Sequence, residues 1–311
     1  MKLLIQIPCY NEENDILNTL NQLPKKLDGV DIIEIVIVND GSEDNTIKEV
    51  KKYNDLKTHI INLPIRKGLS NAFTTGINFC LKQSADIIVN TDADNQYDSS
   101  NIQDLINPII NGKSDIVIGA RNFKNIKSFS KTKVFFQNLG SKVISFLAGK
   151  KVEDATSGFR SFSKEAANSL NVFNNFTYTH ETILQASYNN FRINSIPIKT
   201  NEVKRPSRLF KSNIEYILRS TLVIIRVFMI YKPFNFFLIL ASPFLILGLI
   251  LEIQWIFAWL DDRSLGLIPR LFLGALLITI SILLIIAGIF ADLISTNRKM
   301  LEEIKKNLKD N

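Results

Sequence analysis

Asp92, Asp94 and Gln96 stand at alternate positions in "NTDADNQYD", residues 90–98, directly after the apolar run "DIIV". In an extended segment, three such residues share one face. Two carboxylates that close repel each other unless a cation lies between them. Oxygen donors with no histidine or cysteine beside them suit Mg2+ or Mn2+. Mg2+ typically takes one or two protein carboxylates and completes its shell with water and substrate phosphate. An EF-hand calcium loop needs Gly at its sixth position and Glu at its twelfth. Counted from Asp92 these are Tyr97 and Gln103, so that loop is excluded. Taken alone, the motif also fits a solvated acidic turn.

Such a motif needs elements to hold it. "LLIQIP", "IIEIVIVND", "HIINLP", "DIIVNTD" and "DIVIGAR" are short apolar runs closed by proline or polar residues. Helical patterns fall between them, at about 12–23, 43–53, 68–82 and 99–111. Strand and helix in alternation predict parallel strands with helices on both faces. Ligands of such sheets sit at the carboxyl ends of the strands. The polar clusters "PCYNE", "NDGS", "TDAD" and "GARN" all fall there. In "IVIVNDGSEDNT", Asp40 can accept hydrogen bonds from a nucleobase or ribose, while Ser42 or Asp44 can cap the next helix. In "IPCYNEEN", Tyr10 offers an apolar wall and Glu12 an acceptor. The alternative is Asn11 as a helix cap. No Gly-x-Gly-x-x-Gly follows the first strand and no P-loop is present, which argues against a dinucleotide-dependent oxidoreductase and an ATPase.

The rest of the 311-residue chain is of another kind. Residues 233–251 and 271–291 carry no charge. Each is near the roughly 20 residues a helix needs to cross a bilayer. Buried core helices are the alternative. The N-terminal apolar stretch is too short for a signal peptide, so the first domain is expected in the cytosol. Cys9 and Cys80 are the two cysteines, too few for a disulfide framework.

The formal charge is +7. Lys204, Arg205, Arg208, Lys211, Arg219, Arg226 and Lys232 precede the first span, and Arg298, Lys299, Lys305, Lys306 and Lys309 follow the second. The positive-inside rule then places both ends of the hairpin in the cytoplasm. No motif supports nucleic acid as a partner; an anionic membrane surface explains the same charges. Residues 206–232 interleave basic with apolar residues, as an interfacial segment does. Residues 128–149 read as a loop and then an amphipathic helix, with Val134, Phe135, Leu139, Val143, Phe146 and Leu147 as its stripe. Packing onto the sheet and lying at the membrane interface are both open for it. The spans could also associate with those of a second copy, giving a homo-oligomer.

"IPCYNEEN", "VIVNDGSEDNT", "RKGLSNAFTTGI", "TDADNQY", "IGAR" and "DATSGFRSFSKEA", in this order, resemble family 2 glycosyltransferases. The closest resemblance is to the dolichol-phosphate mannose synthase branch and its bacterial polyprenyl-phosphate relatives. It spans about residues 1–211. It implies a GT-A (Rossmann-like) mixed α/β sheet with flanking helices, interfacial helices and a C-terminal two-helix transmembrane hairpin. The domains implied are a cytosolic catalytic domain at 1–205, an interfacial segment at 206–232, the hairpin at 233–292 (spans at about 233–254 and 270–291) and a basic cytosolic tail at 293–311. By the same resemblance Pro8, Tyr10, Glu12, Asp40, Lys67, Gly68 and Asp92 line the nucleotide-sugar pocket. Asp92, Asp94 and Gln96 hold Mg2+ or Mn2+ against the diphosphate. The family often has Asp-Asp-Gly-Ser where this chain has Asn39-Asp40-Gly41-Ser42, and Leu-Gln-His or Leu-Gln-Asp where it has Asn95-Gln96-Tyr97.

The activity implied is inverting hexosyl transfer from a GDP- or UDP-linked sugar to polyprenyl phosphate at the membrane. A sugar hydroxyl needs a general base before it can attack. A phosphate monoester, with its second pKa at about 6, does not. It needs cations to gather it beside an anionic donor. Arg121, Lys131, Lys133, Arg160, Arg205, Ser207, Arg208 and Lys211 are the candidates. For Arg121 the resemblance implies phosphate contact; the "RPSRLFKS" residues could instead meet lipid headgroups. Glu181 in "YTHET" lies where relatives that glycosylate hydroxyls carry a catalytic base, which leaves a hydroxyl acceptor in cell-surface glycan assembly as the other reading. His180 is expected at the surface or in packing.

Overall fold

The computed structural model describes residues 1–121, 131–170, 172, 178–201, 218, 221–222, 225–226, 228–261 and 264–310. They fall into two compact units, Met1–Thr221 and Leu222–Asn311.

The first unit is a seven-stranded mixed sheet with flanking helices. In chain order come β1 (Lys2–Cys9), α1 (Ile16–Asn21), β2 (Ile32–Asn39), α2 (Thr46–Val50), β3 (Thr58–Asn62), α3 (Leu69–Lys82) and β4 (Ile87–Asn90). Then follow α4 (Ile102–Ile110), β5 (Ile116–Arg121), α5 (Lys131–Ala148), β6 (Arg160–Ser163), α6 (Lys164–Ser169), α7 (Thr179–Tyr188) and β7 (Ile193–Ile198). The strand order is β3-β2-β1-β4-β6-β5-β7. β1 to β4 are parallel, as their alternation with helices requires. β6 runs antiparallel to both β4 and β5, and β5 pairs in parallel with β7. β5 and β7 therefore run in the same direction as β1 to β4, so the expectation of parallel strands holds for six of the seven and β6 alone is reversed.

β1 is buried along nearly its whole length because strands and helices cover it on all sides. Leu3, Ile5, Ile7, Ile35, Ile37, Ile87, Val89 and Val117 form the centre of the core. The chain leaves β1 toward β2 and β3, then returns to β4 on the other side of β1. That reversal opens a crevice at the carboxyl ends of β1 and β4, where ligands of such sheets bind. Below it the strands are locked by an amide pair on partnered residues: Gln6 Nε2 donates to Asn90 Oδ1 at 2.8 Å.

The second unit is a helical hairpin of α8 (Pro233–Leu260) and α9 (Ile268–Asp310). The two pack through glycine. A Cβ on Gly248 would lie 3.0 Å from the Gly274 carbonyl oxygen, and one on Gly288 would lie 2.9 Å from Phe237 Cβ. Close backbone approach through small residues is how helices associate in lipid. Pro243 removes an N–H inside α8, freeing the Ile239 carbonyl. Ser242 Oγ donates to that carbonyl at 2.9 Å. Both helices are long and apolar enough to cross a membrane. Only 11% and 17% of their most apolar windows are buried, so the alternative of buried core helices does not describe them.

Candidate active site

The loops after β1 and β2 are bonded to each other, and this decides their shape. Asn11, at a left-handed φ of 55°, donates its N–H to Ser42 Oγ at 3.0 Å and accepts Glu43 N–H on Oδ1 at 2.9 Å. Glu12 N–H reaches Thr46 Oγ1 at 2.8 Å, and Glu13 N–H reaches Asp44 Oδ2 at 3.1 Å. α1 and α2 are therefore shorter than their patterns predict, because residues 10–15 and 40–45 serve this clamp instead. Asp44 also caps, accepting Thr46 N–H at 2.9 Å.

Asp40 is buried, and each carboxylate oxygen takes a backbone amide, from Lys67 at 2.7 Å and Gly68 at 2.8 Å. Gly41 and Gly68 make this possible. Gly41 has φ +71°, and a Cβ on it would lie 2.8 Å from Arg66 N. Gly68 has φ 92° and ψ 159°, a region open essentially to glycine alone. The same turn lays the Arg66 guanidinium over the Tyr10 ring, 4.1 Å from its centroid. Sequence reasoning gave Arg66 no role, although it opens the quoted "RKG" motif. Pro8 is buried within β1 beside Val38.

Asp92, Asp94 and Gln96 follow the end of β4 in a turn, not in an extended strand. Asn95 at φ 56° reverses the chain, and Asp94 Oδ1 accepts Gln96 N–H at 3.1 Å. The carboxylates are brought together by this turn rather than by strand alternation. Residues 199–201 latch it from outside: Asn201 N–H donates to Gln96 O at 2.9 Å, Asn201 Nδ2 to Asn95 O at 3.0 Å, and Tyr97 bridges Thr200. Asp92 is partly accessible, yet burial of its carboxyl, then Asp94, pushes its pKa up to about 7, against the pull of Arg121 and Tyr97.

Two carboxylates close enough that Asp94 opposes the ionisation of Asp92 fit a divalent cation whose remaining ligands come from phosphate and water. Among the described residues no group of three or more His, Cys, Asp or Glu side chains is gathered for a metal.

A family model described as glycosyl transferase family 2 matches residues 4–170, more than half of the chain. This chain belongs to glycosyl transferase family 2. Among the similar proteins is the UDP-N-acetylglucosamine–dolichyl-phosphate N-acetylglucosaminyltransferase of Methanococcus voltae, 36% identical over 62% of this glycosyltransferase and 83% of the relative. Another is a dolichol-phosphate mannosyltransferase of Pyrococcus furiosus, 32% identical over 55% and 49%. A solved structure of Mycobacterium tuberculosis glucosyl-3-phosphoglycerate synthase, in complex with Mn2+, UDP and product, shares the fold with a TM-score of 0.52. It is 16% identical and covers 73% of this chain and 78% of its own.

The residues expected on the acceptor side are differently placed. Arg121, at the end of β5, forks onto Asp154: Nε to Oδ2 at 2.7 Å and Nη2 to Oδ1 at 3.2 Å, with Thr156 Oγ1 2.7 Å from Nη2. The pair is buried, with 7% and 0% of the side chains exposed. Burial works against the Asp154 charge, but Arg121 outweighs it and holds the carboxyl below its usual range. The partner of Arg121, Asp154, lies in the "DATSGFR" motif but has no role in the sequence reading.

The expectation that Arg160 reaches acceptor phosphate is corrected by its geometry. It is fully buried. It donates to Ser157 O at 2.7 Å, Thr179 O at 2.7 Å, Ala155 O at 2.9 Å and Thr182 Oγ1 at 2.8 Å. The guanidinium staples the 155–157 turn to α7. Glu181 is also buried, with 2% exposed, in the first turn of α7. His180 is a packing residue there; burial, then Arg160, lowers its pKa to about 4, so it is neutral at pH 7.

The side chains of Lys131 and Lys133, in the first turn of α5, lie outside the described residues, as do Arg205, Ser207, Arg208, Lys211 and most of the 206–232 segment. The stripe expected on α5 divides. Leu147 turns inward with Ile144, while Phe135, Leu139 and Phe146 are 61%, 45% and 74% exposed.

Proposed function

We propose that this glycosyltransferase moves a hexose from a UDP- or GDP-linked donor to polyprenyl phosphate at a membrane surface, with inversion. The observation that carries the reading is the Asp92–Asp94 pair at the crevice between β1 and β4, flanked by the Tyr10 and Asp40 loops. The names of the M. voltae and P. furiosus relatives support the acceptor class. The first of them favours a UDP-linked N-acetylhexosamine as the first donor to try.

In this reading Tyr10 and Arg66 form the wall against the nucleobase, and Asp40 holds the Lys67–Gly68 backbone in place for it. Asp92 and Asp94, with Gln96 beside them, hold Mg2+ or Mn2+, which when bound supplies Lewis-acid stabilisation of the leaving diphosphate. The acceptor phosphate attacks the anomeric carbon without a general base. Glu181 then has no proton to take, in keeping with its burial. Arg121, held in its fork by Asp154, carries positive charge toward the diphosphate and acceptor. α8 and α9 span the bilayer, both ends cytoplasmic, and the exposed Phe135, Leu139 and Phe146 suit a lipid interface. The proposed division is a catalytic domain to about 205, an interfacial segment at 206–232, the hairpin, and a basic tail continuing α9.

The test is transfer by purified full-length protein in vesicles holding polyprenyl phosphate, across a panel of radiolabelled UDP- and GDP-sugars with Mg2+ or Mn2+. One donor should give a lipid-extractable sugar phosphate. Donor hydrolysis without lipid product, or transfer to a sugar hydroxyl alone, sinks the reading. The second outcome would favour the glycan-assembly alternative.

A further inference from the structure

The turn that carries Asp94 is held from a distant part of the chain. Asn95 has a left-handed backbone, φ 56°, without being glycine. Asparagine visits that region more readily than most residues, yet such a conformation persists only where neighbours fix it. The neighbour here is Asn201.

Asn201 grips two successive carbonyls of the turn. Its backbone N–H donates to Gln96 O at 2.9 Å, and its side-chain Nδ2 donates to Asn95 O at 3.0 Å. The residues before it keep it in register. Thr200 bridges Tyr97, and Lys199 O accepts Asp98 N–H at 3.4 Å.

The peptide between Asn95 and Gln96 is a planar unit, with its C=O and N–H on opposite sides. Its oxygen takes the Asn201 side-chain amide. Its N–H donates to Asp94 Oδ1 at 3.1 Å. One rigid group therefore carries the grip of Asn201 across to the Asp94 carboxylate. The next peptide, from Gln96 to Tyr97, is held by the Asn201 backbone N–H. Both sides of Gln96, the third candidate ligand, are thereby fixed. In sequence, Arg205, Ser207, Arg208 and Lys211 follow Asn201 within ten residues. The chain is tied to the cation turn just before it supplies these acceptor candidates.

We propose that Asn201 is a positioning residue that sets the Asp94 carboxylate for the divalent cation, through its side-chain amide, the 95–96 peptide and Gln96 N–H. The proposal rests on the reading that Asp94 holds that cation. Groups that orient metal ligands typically change metal affinity by about 10- to 100-fold when removed. Asn201 acts one peptide further out, so the low end of that range, about tenfold, applies. An asparagine that only closes a loop would cost stability and leave the affinity for the ion unchanged.

The test is Asn201→Ala, which removes the side-chain donor and keeps the backbone N–H on Gln96 O. Mn2+ binding to the full-length protein is followed by electron paramagnetic resonance with UDP or GDP present, alongside nucleotide binding and melting without metal. Mn2+ affinity should fall about tenfold. Metal-free nucleotide affinity should stay near wild type, and melting should shift by no more than the loss of one hydrogen bond allows. Asn201→His, read at about pH 8 where imidazole is neutral, places a ring N–H where the amide stood and should recover most of the loss. Wild-type Mn2+ affinity in the Ala variant, an equal loss of Mn2+ and metal-free nucleotide binding, failure of the Ala variant to fold, or a His variant as weak as the Ala variant each overturns the proposal. A wild-type protein that binds no Mn2+ fails one step earlier, at the cation reading itself.

Discussion

Asp92→Asn, and separately Asp94→Asn, should each lower sugar transfer roughly a thousandfold or more while the folded protein remains intact. The size follows from what is lost. A divalent ion at a leaving phosphate contributes several kcal/mol of charge stabilisation in the transition state, and each 1.36 kcal/mol is about tenfold in rate. An amide keeps the shape of the carboxylate but removes one of the two charges that offset the ion. The fold should not suffer, because burial and Asp94 already work against the charge on Asp92. Removing it relieves repulsion, so the metal-free variants should melt no lower than wild type. Radiochemical transfer and a thermal melt on the same preparations check both halves. A variant that keeps transfer within tenfold of wild type would show that these acids are only a surface turn.

Asp154→Asn should be strongly destabilising, by about 3–5 kcal/mol, the usual result of breaking a buried ion pair from one side. Arg121 Nε and Nη2 would keep their geometry but lose the charge they face. Arg121→Lys should not be neutral either, since an ammonium cannot fork onto both oxygens. The pair also gives a pH signature. The folded pKa of Asp154 is depressed, so its contribution is fully present above the unfolded carboxylate value of about 4. It is lost as pH falls through the lower folded value. Urea midpoints from pH 7 down to pH 3 should show an acid slope in wild type that is shallower in Asp154→Asn. Equal stability of the two proteins at pH 7 would mean that Arg121 does not depend on Asp154.

What the chain discloses before folding depends on how local each cause is. β1, β2 and β4 are legible because their apolar runs end in Pro8, Asp40 and Asp92, so strand and site are marked by the same residues. β6 is not legible. "RSFS" is four residues long with three polar side chains, and it is buried because β4 and β5 close around it. β7 carries a weak signal for a different reason: it is an edge strand, mostly not buried, and holds Pro197. The acids at the strand ends could be picked out from their position alone. The partner of Arg121 could not, since Asp154 is 33 residues away. Arg160 shows the opposite failure. A cation beside a phosphate chemistry motif looks available, and only the backbone carbonyls of Ala155, Ser157 and Thr179 reveal that it is used for folding. Tyr97 meets Gly158 and Phe159, which are distant from it in sequence.

The central claim is that Asp92 and Asp94 join a divalent cation to a nucleoside diphosphate. Calorimetric titration of UDP and GDP into the full-length protein, with and without Mn2+, tests it most directly. One nucleotide should bind at least about tenfold more tightly with the ion, as expected when a metal bridges the two partners, and the gain should vanish in the Asp92→Asn/Asp94→Asn protein. Equal affinity with and without Mn2+, or a gain that survives in the double variant, would contradict the account.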